Sequence, residues 1–116
     1  MSLKENMHTA LMAVAPTAPA KKSRKYTGKA LEYITYFCYN EQGEAYAENK
    51  ETDTGHYFQV DLWQLPLGTS DPDVLKKQIK DSLVPLGFMG FTAQELYEDD
   101  TGINHIAIRC NYVEHL

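Results

Sequence analysis

The stretch LYEDDTGINHIAIRCNYV, residues 96–113, gathers the side chains of acid–base and nucleophilic chemistry: Asp99, Asp100, His105, Arg109 and Cys110. Paired carboxylates can act as general acid and base when one of them is desolvated. A histidine can activate a serine or cysteine within hydrogen-bond reach. The local pattern argues against both. Asp99 and Asp100 sit in Asp-Asp-Thr-Gly, a hairpin-turn composition that keeps both carboxylates in water. His105 and Cys110 are an odd number of residues apart on one β-like run, so their side chains point to opposite faces. His8, His56, His105 and His115 are scattered, with no metal-ligand pair, and phosphate-cradling glycine loops and a GxSxG elbow are absent. The expectation is no catalytic residue, no cofactor and no metal. Replacing His105 by alanine should then leave the fold intact and remove neither a metal nor an activity.

The elements that would hold these residues follow from periodicity. Leu3, Met7, Ala10, Leu11 and Val14 lie at helical spacing, and Pro16 and Pro19 end that segment. A linker or arm follows. Residues 29–40 are rich in β-branched and aromatic types and predict a strand. Residues 41–55 are acidic and predict a long connection between strands. Residues 56–65 alternate, with Phe58, Val60 and Leu62 on one face and Tyr57, Gln59, Asp61 and Trp63 on the other. Residues 71–84 predict an amphipathic helix with Leu75, Ile79 and Leu83 inward, opened by Ser70 or Asp71 and Pro72 and closed by Pro85 and Gly87. Two more strands flank the turn at 99–102. In the second, Ile106, Ile108, Cys110 and Tyr112 share one face, and His105, Ala107, Arg109, Asn111 and Val113 the other. The order helix, strand, strand, helix, strand, strand predicts an α+β fold. Its antiparallel or mixed sheet would have four or more strands, with two helices packed on one face. The 116 residues fit a single domain, divided into a helix and basic arm at 1–29 and an α+β body at 30–116.

The net charge of −5 is unevenly spread. Residues 1–29 carry six lysines and arginines against one glutamate, whereas residues 30–116 carry five bases against fifteen acids. An acidic body speaks against specific nucleic-acid binding, and no apolar run reaches the roughly 18 residues of a membrane span. The basic arm reads either as a solvated tail or as a contact for the acidic body of the next copy. Cys38 and Cys110 lack zinc spacing and read as reduced, buried thiols. Tyr57 and Trp63 read either as core under the helices or as anchors of a protein interface.

Several stretches together resemble a known family: Ile34-Thr35-Tyr36, the acidic segment after it, Gln59-Val60-Asp61-Leu62-Trp63, the amphipathic helix with Gly87-Phe88 behind it, and Leu96-Tyr97-Glu98 through Arg109. Over residues 31–113 the chain resembles the tail completion proteins of siphophages and Gram-positive prophages, which include head–tail joining and tail terminator proteins. The resemblance implies a non-enzymatic virion protein, made in the host cytoplasm, that forms a ring at the head–tail interface. Its partners would be further copies of itself, the tail tube and the head connector.

A ring needs two different, complementary patches on each copy. The residues expected to supply them are Lys21, Lys22, Arg24 and Lys25 on the arm, Glu44, Glu48, Glu51 and Asp53 on the acidic segment, and Tyr57 and Trp63 on the sheet. Arm and acidic segment are both expected to be mobile in the isolated chain. Two other functions stay open: a small phage-encoded regulator that binds a host protein, and a small ligand-binding or enzymatic α+β domain.

Overall fold

The computed structural model describes residues 2–19, 31–47 and 50–116. The basic arm, with Lys21, Lys22, Arg24 and Lys25, lies outside the described residues, as does Glu48. The elements are α1 (Leu3–Met12), β1 (Thr17–Pro19), β2 (Glu32–Ala47), β3 (Lys50–Gln64), α2 (Pro72–Leu83), β4 (Met89–Glu98) and β5 (Ile103–His115). They form one five-stranded sheet in the order β1-β2-β3-β5-β4. Every pairing is antiparallel except that of β1, which runs parallel to β2 through Thr17–Ile34 and Ala18–Thr35. The α+β class read from the sequence is the observed one, with a mixed sheet.

Local chemistry sets the helix ends. Ser2 caps α1 by accepting from the Glu5 amide, and Asp71 caps α2 by accepting from the Asp73 amide, one residue before Pro72. Pro85 has no amide hydrogen to extend α2, so the chain tightens into a 3-10 turn over Val84–Leu86. Gly87 then takes φ 103°, and a Cβ there would also sit 2.9 Å from the Tyr112 ring.

Both helices cover the same face of the sheet. Met7 and Leu11 of α1 and Leu75, Ile79 and Leu83 of α2 pack with Ile34 and Tyr36, with Phe58, Val60 and Leu62, and with Ile106, Ile108 and Cys110. The alternation read from β3 and β5 thus separates the buried set correctly. His8 Nδ1 lies 3.0 Å from the Tyr36 hydroxyl, a polar tie between α1 and β2 at the rim of this core.

The expected connection at 41–55 is not a loop. The pairing of β2 with β3 continues from Glu41–His56 through Gln42–Gly55, Gly43–Thr54 and Tyr46–Glu51 to Ala47–Lys50, with register shifts between Cys38 and Asn40 and on both sides of Ala45. The strand expected at 29–40 therefore runs to Ala47, and the one expected at 56–65 begins at Lys50. Backbone pairing needs no apolar side chains, and polar residues are stable on a ladder with both faces in water. β5 supports the hairpin as far as His115, which pairs with Asp53. The expectation of a mobile acidic loop is corrected to an ordered, acidic β-hairpin. None of its residues 42–47 or 50–54 belongs to the core, and the molecule measures 55 Å along its longest axis.

Candidate functional site

The sheet face opposite the helices is the candidate site. Its rows follow from strand register. One row holds Tyr33, Trp63, His105 and Leu96; the next Thr35, Asp61, Ala107 and Gln94; the third Phe37, Gln59, Arg109 and Thr92. Among the described residues no helix lies on this face, so Trp63 and Tyr57 are sheet-surface residues and not core.

The face shields itself. Trp63 stacks on His105 with ring centroids 3.8 Å apart and planes 10° from parallel, and Tyr33 stacks on the same indole at 6.2 Å. The Trp63 indole N–H donates to Thr35 Oγ1 at 3.0 Å. Beside the stack, Asp61 is only 4% exposed. Its Oδ1 lies 2.7 Å from His105 Nε2 and accepts from the Gln59 amide at 2.9 Å. Gln59 in turn accepts from Arg109 Nε at 3.2 Å, and the Arg109 guanidinium lies 4.9 Å from the centroid of the Tyr39 ring. The chain Arg109–Gln59–Asp61–His105–Trp63 crosses β5 and β3 as one connected network.

Toward the hairpin the polar contacts continue. Tyr57 donates its hydroxyl to Glu44, whose carboxylate holds the phenol above its ordinary pKa. On the helix side, His56 lies between Glu41 at 3.3 Å and Glu114 at 3.2 Å, and His115 Nδ1 lies 2.7 Å from Asp53. These cross-strand contacts tie β2, β3 and β5 together from the first turn of α1 outward along the hairpin.

The sites expected from the sequence fall as follows. Asp99 and Asp100 are exposed in the β4–β5 turn. His105 and Cys110 point to opposite faces: Cys110 is 2% exposed in the core. Tyr57 and Trp63 share the sheet face opposite the helices, and Glu44, Glu51 and Asp53 lie on the hairpin. The Asp61–His105 pair is the feature that sequence reasoning missed. Asp61 reads from the sequence as a surface acid, whereas it is buried and engaged. Alternation puts both residues opposite the apolar rows of their strands, but only the β3–β5 register, set across the intervening α2 and β4, brings them together.

A carboxylate that orients an imidazole is one part of a general-base arrangement. Among the described residues no serine, threonine or cysteine is hydrogen-bonded to His105, and no group of three or more His, Cys, Asp or Glu side chains is placed to hold a metal. Among the described residues, too, no helix is long and apolar enough to cross a membrane. A comparison with protein-family models gives no match to this chain, and neither does a comparison with curated proteins.

The two thiols are predicted to behave differently. Cys38 and Cys110 flank Phe58 in one cross-strand row, so their Cα atoms are ~10 Å apart, too far for a disulfide. Burial pushes the Cys110 thiol up from 9.0 to about 12. Iodoacetamide at pH 8 should label half-buried Cys38 and spare Cys110, as read by mass. The unfolded chain ionises Cys110 near 9 while the folded one keeps the proton to about 12. Its contribution to stability is therefore complete below pH 9 and is lost between 9 and 12, at up to about 1.4 kcal/mol per pH unit. Urea titrations of the wild type and of Cys110→Ala at pH 8 and pH 10 isolate that slope.

Proposed function

We propose that this chain is a phage virion structural protein, a tail completion or terminator subunit that forms a ring at the head–tail interface. Its partners are further copies of itself, the tail tube and the head connector. The observation that carries the reading is the pairing of two different surfaces on one small domain: a sheet face with Tyr33, Phe37, Tyr57 and Trp63 that no helix covers among the described residues, and an acidic hairpin running beyond the core. Aromatic anchors suit a protein interface, and two unlike patches on each subunit are what a closed head-to-tail ring requires. The resemblance over residues 31–113 supports the same reading.

The Asp61–His105 pair favours a second reading, a small ligand-binding or enzymatic domain. Deleting the gene from its phage and imaging lysates by electron microscopy separates the two. Full heads beside unjoined tails are expected for head–tail joining, and overlong tails for a terminator. Normal virions at normal yield would overturn the structural role and turn attention to a host-directed regulator or an enzyme.

A further inference from the structure

One groove on the helix side is unlike the rest of the acidic body. It lies between α2 and the edge strand β4, with an open volume of about 310 Å³. Lys76, Lys77 and Lys80 form one wall, and Phe91, Thr92, Ala93 and Ile108 line the rest. These are three of the five lysines and arginines in residues 30–116. Lys76 is held by Asp73 at 3.5 Å and Glu95 at 3.6 Å. Lys80 lies 5.7 Å from the centroid of the Phe91 ring. Among the described residues, neither Lys77 nor Lys80 is in an ion pair. β4 is also the last strand of the sheet, so its outer row of backbone groups is free to pair among the described elements.

The hairpin is the counterpart in charge and shape. Residues 41–47 and 50–55 hold Glu41, Glu44, Glu51 and Asp53 against the single base Lys50. Glu41 and Asp53 are engaged by His56 and His115, while Glu44 and Glu51 have no cationic partner among the described residues. At the tip, Tyr46 pairs across the ladder with Glu51 and is 66% exposed. Gly43 makes room for both, since a Cβ there would collide with the Tyr46 ring and sit 2.7 Å from Glu51 Oε1. The tip thus presents an aromatic ring beside a carboxylate, which matches a groove with an apolar floor and a lysine wall.

One copy cannot make this contact with itself. The hairpin is locked into the ladder by β5 and points along the strands, away from the α2–β4 groove at the side of the sheet. We infer that the hairpin tip of one copy, through Tyr46, Glu44 and Glu51, docks in the Lys77–Lys80 groove of a second copy. The contact is head-to-tail, so each copy gives its hairpin to one neighbour and its groove to the other. This rests on the ring reading for the identity of the partner and names the surfaces that reading needs.

The test is a charge-swap pair in the full chain, with self-association measured by sedimentation at low and high salt. Lys77→Glu with Lys80→Glu makes both surfaces acidic, and Glu44→Lys with Glu51→Lys makes both basic. Each double variant alone should associate about tenfold or more weakly than the wild type, because like charges then face each other. Mixing the two restores both contacts, one native and one reversed, and should recover association. Wild-type association should weaken from low to high salt. None of the four residues is in the core, so circular dichroism should show an unchanged fold. A wild type that stays monomeric at millimolar concentration in low salt overturns the inference. So do double variants that associate as the wild type does, or a mixture that fails to recover. Failure here leaves the gene-deletion result untouched, and a normal-virion deletion phenotype would reject the ring while leaving this contact measurable in solution.

Discussion

Replacing Ile79 by alanine is expected to lower the free energy of unfolding by about 2–5 kcal/mol, the usual cost of a buried large-to-small change. Ile79 is fully buried at the middle of the α2 stripe, between Leu75 and Leu83, against the inner faces of β3 and β5. The helix has no other apolar stripe to turn inward, because Lys76, Lys77, Gln78, Lys80 and Asp81 occupy the remaining positions of its central turns. The cavity therefore stays largely unfilled and the upper part of the range is expected. Urea unfolding at neutral pH measures it. A loss below roughly 0.5 kcal/mol, the size of a surface change, would mean that α2 presents a different face to the sheet.

That stripe was legible because it is local: three apolar residues at helical spacing, an aspartate and proline at the start, a proline and glycine at the end. The same holds for the inward faces of β3 and β5, where alternation alone separates Phe58, Val60 and Leu62 from Tyr57, Gln59 and Asp61. The hairpin was illegible for a physical reason. Its pairing is carried by backbone groups, its side chains face water on both sides, and the sequence there lacks the Asn-Gly or Asp-Gly turn that announces a hairpin. Acidity reads as a loop when apolar alternation is the only strand signal in use. The Asp61–His105 contact was illegible for another reason. It depends on the register between β3 and β5, strands that are neighbours in the sheet but separated in the chain by α2 and β4. Single-sequence patterns say which face a residue takes. They do not say which residue of a distant strand stands beside it.

That contact sets the second large effect. Asp61→Ala is expected to cost about 2–3 kcal/mol, because it removes the acceptor from two shielded donors at once. Oδ1 receives both the Gln59 amide and the His105 ring nitrogen, and the His105 side chain is itself only 14% exposed. The lower end of the range for breaking a buried pair applies, since among the described residues no helix lies over this sheet face and water can enter the gap. His105→Ala should cost a comparable amount by a different route. It strips the stacked ring from Trp63 and leaves the carboxylate with Gln59 as its remaining partner among these contacts. The two substitutions share one hydrogen bond, so their effects should not add. A double-mutant cycle is expected to give a coupling of about 1 kcal/mol or more, as found for residues in one polar network. Asp61→Asn keeps an acceptor oxygen and should lose less than Asp61→Ala, which separates the hydrogen bond from the charge. Additive effects within roughly 0.3 kcal/mol would mean that aspartate and histidine act independently. The network would then be two separate features of the face, and the stack of Tyr33, Trp63 and His105 alone would hold that part of the sheet in shape.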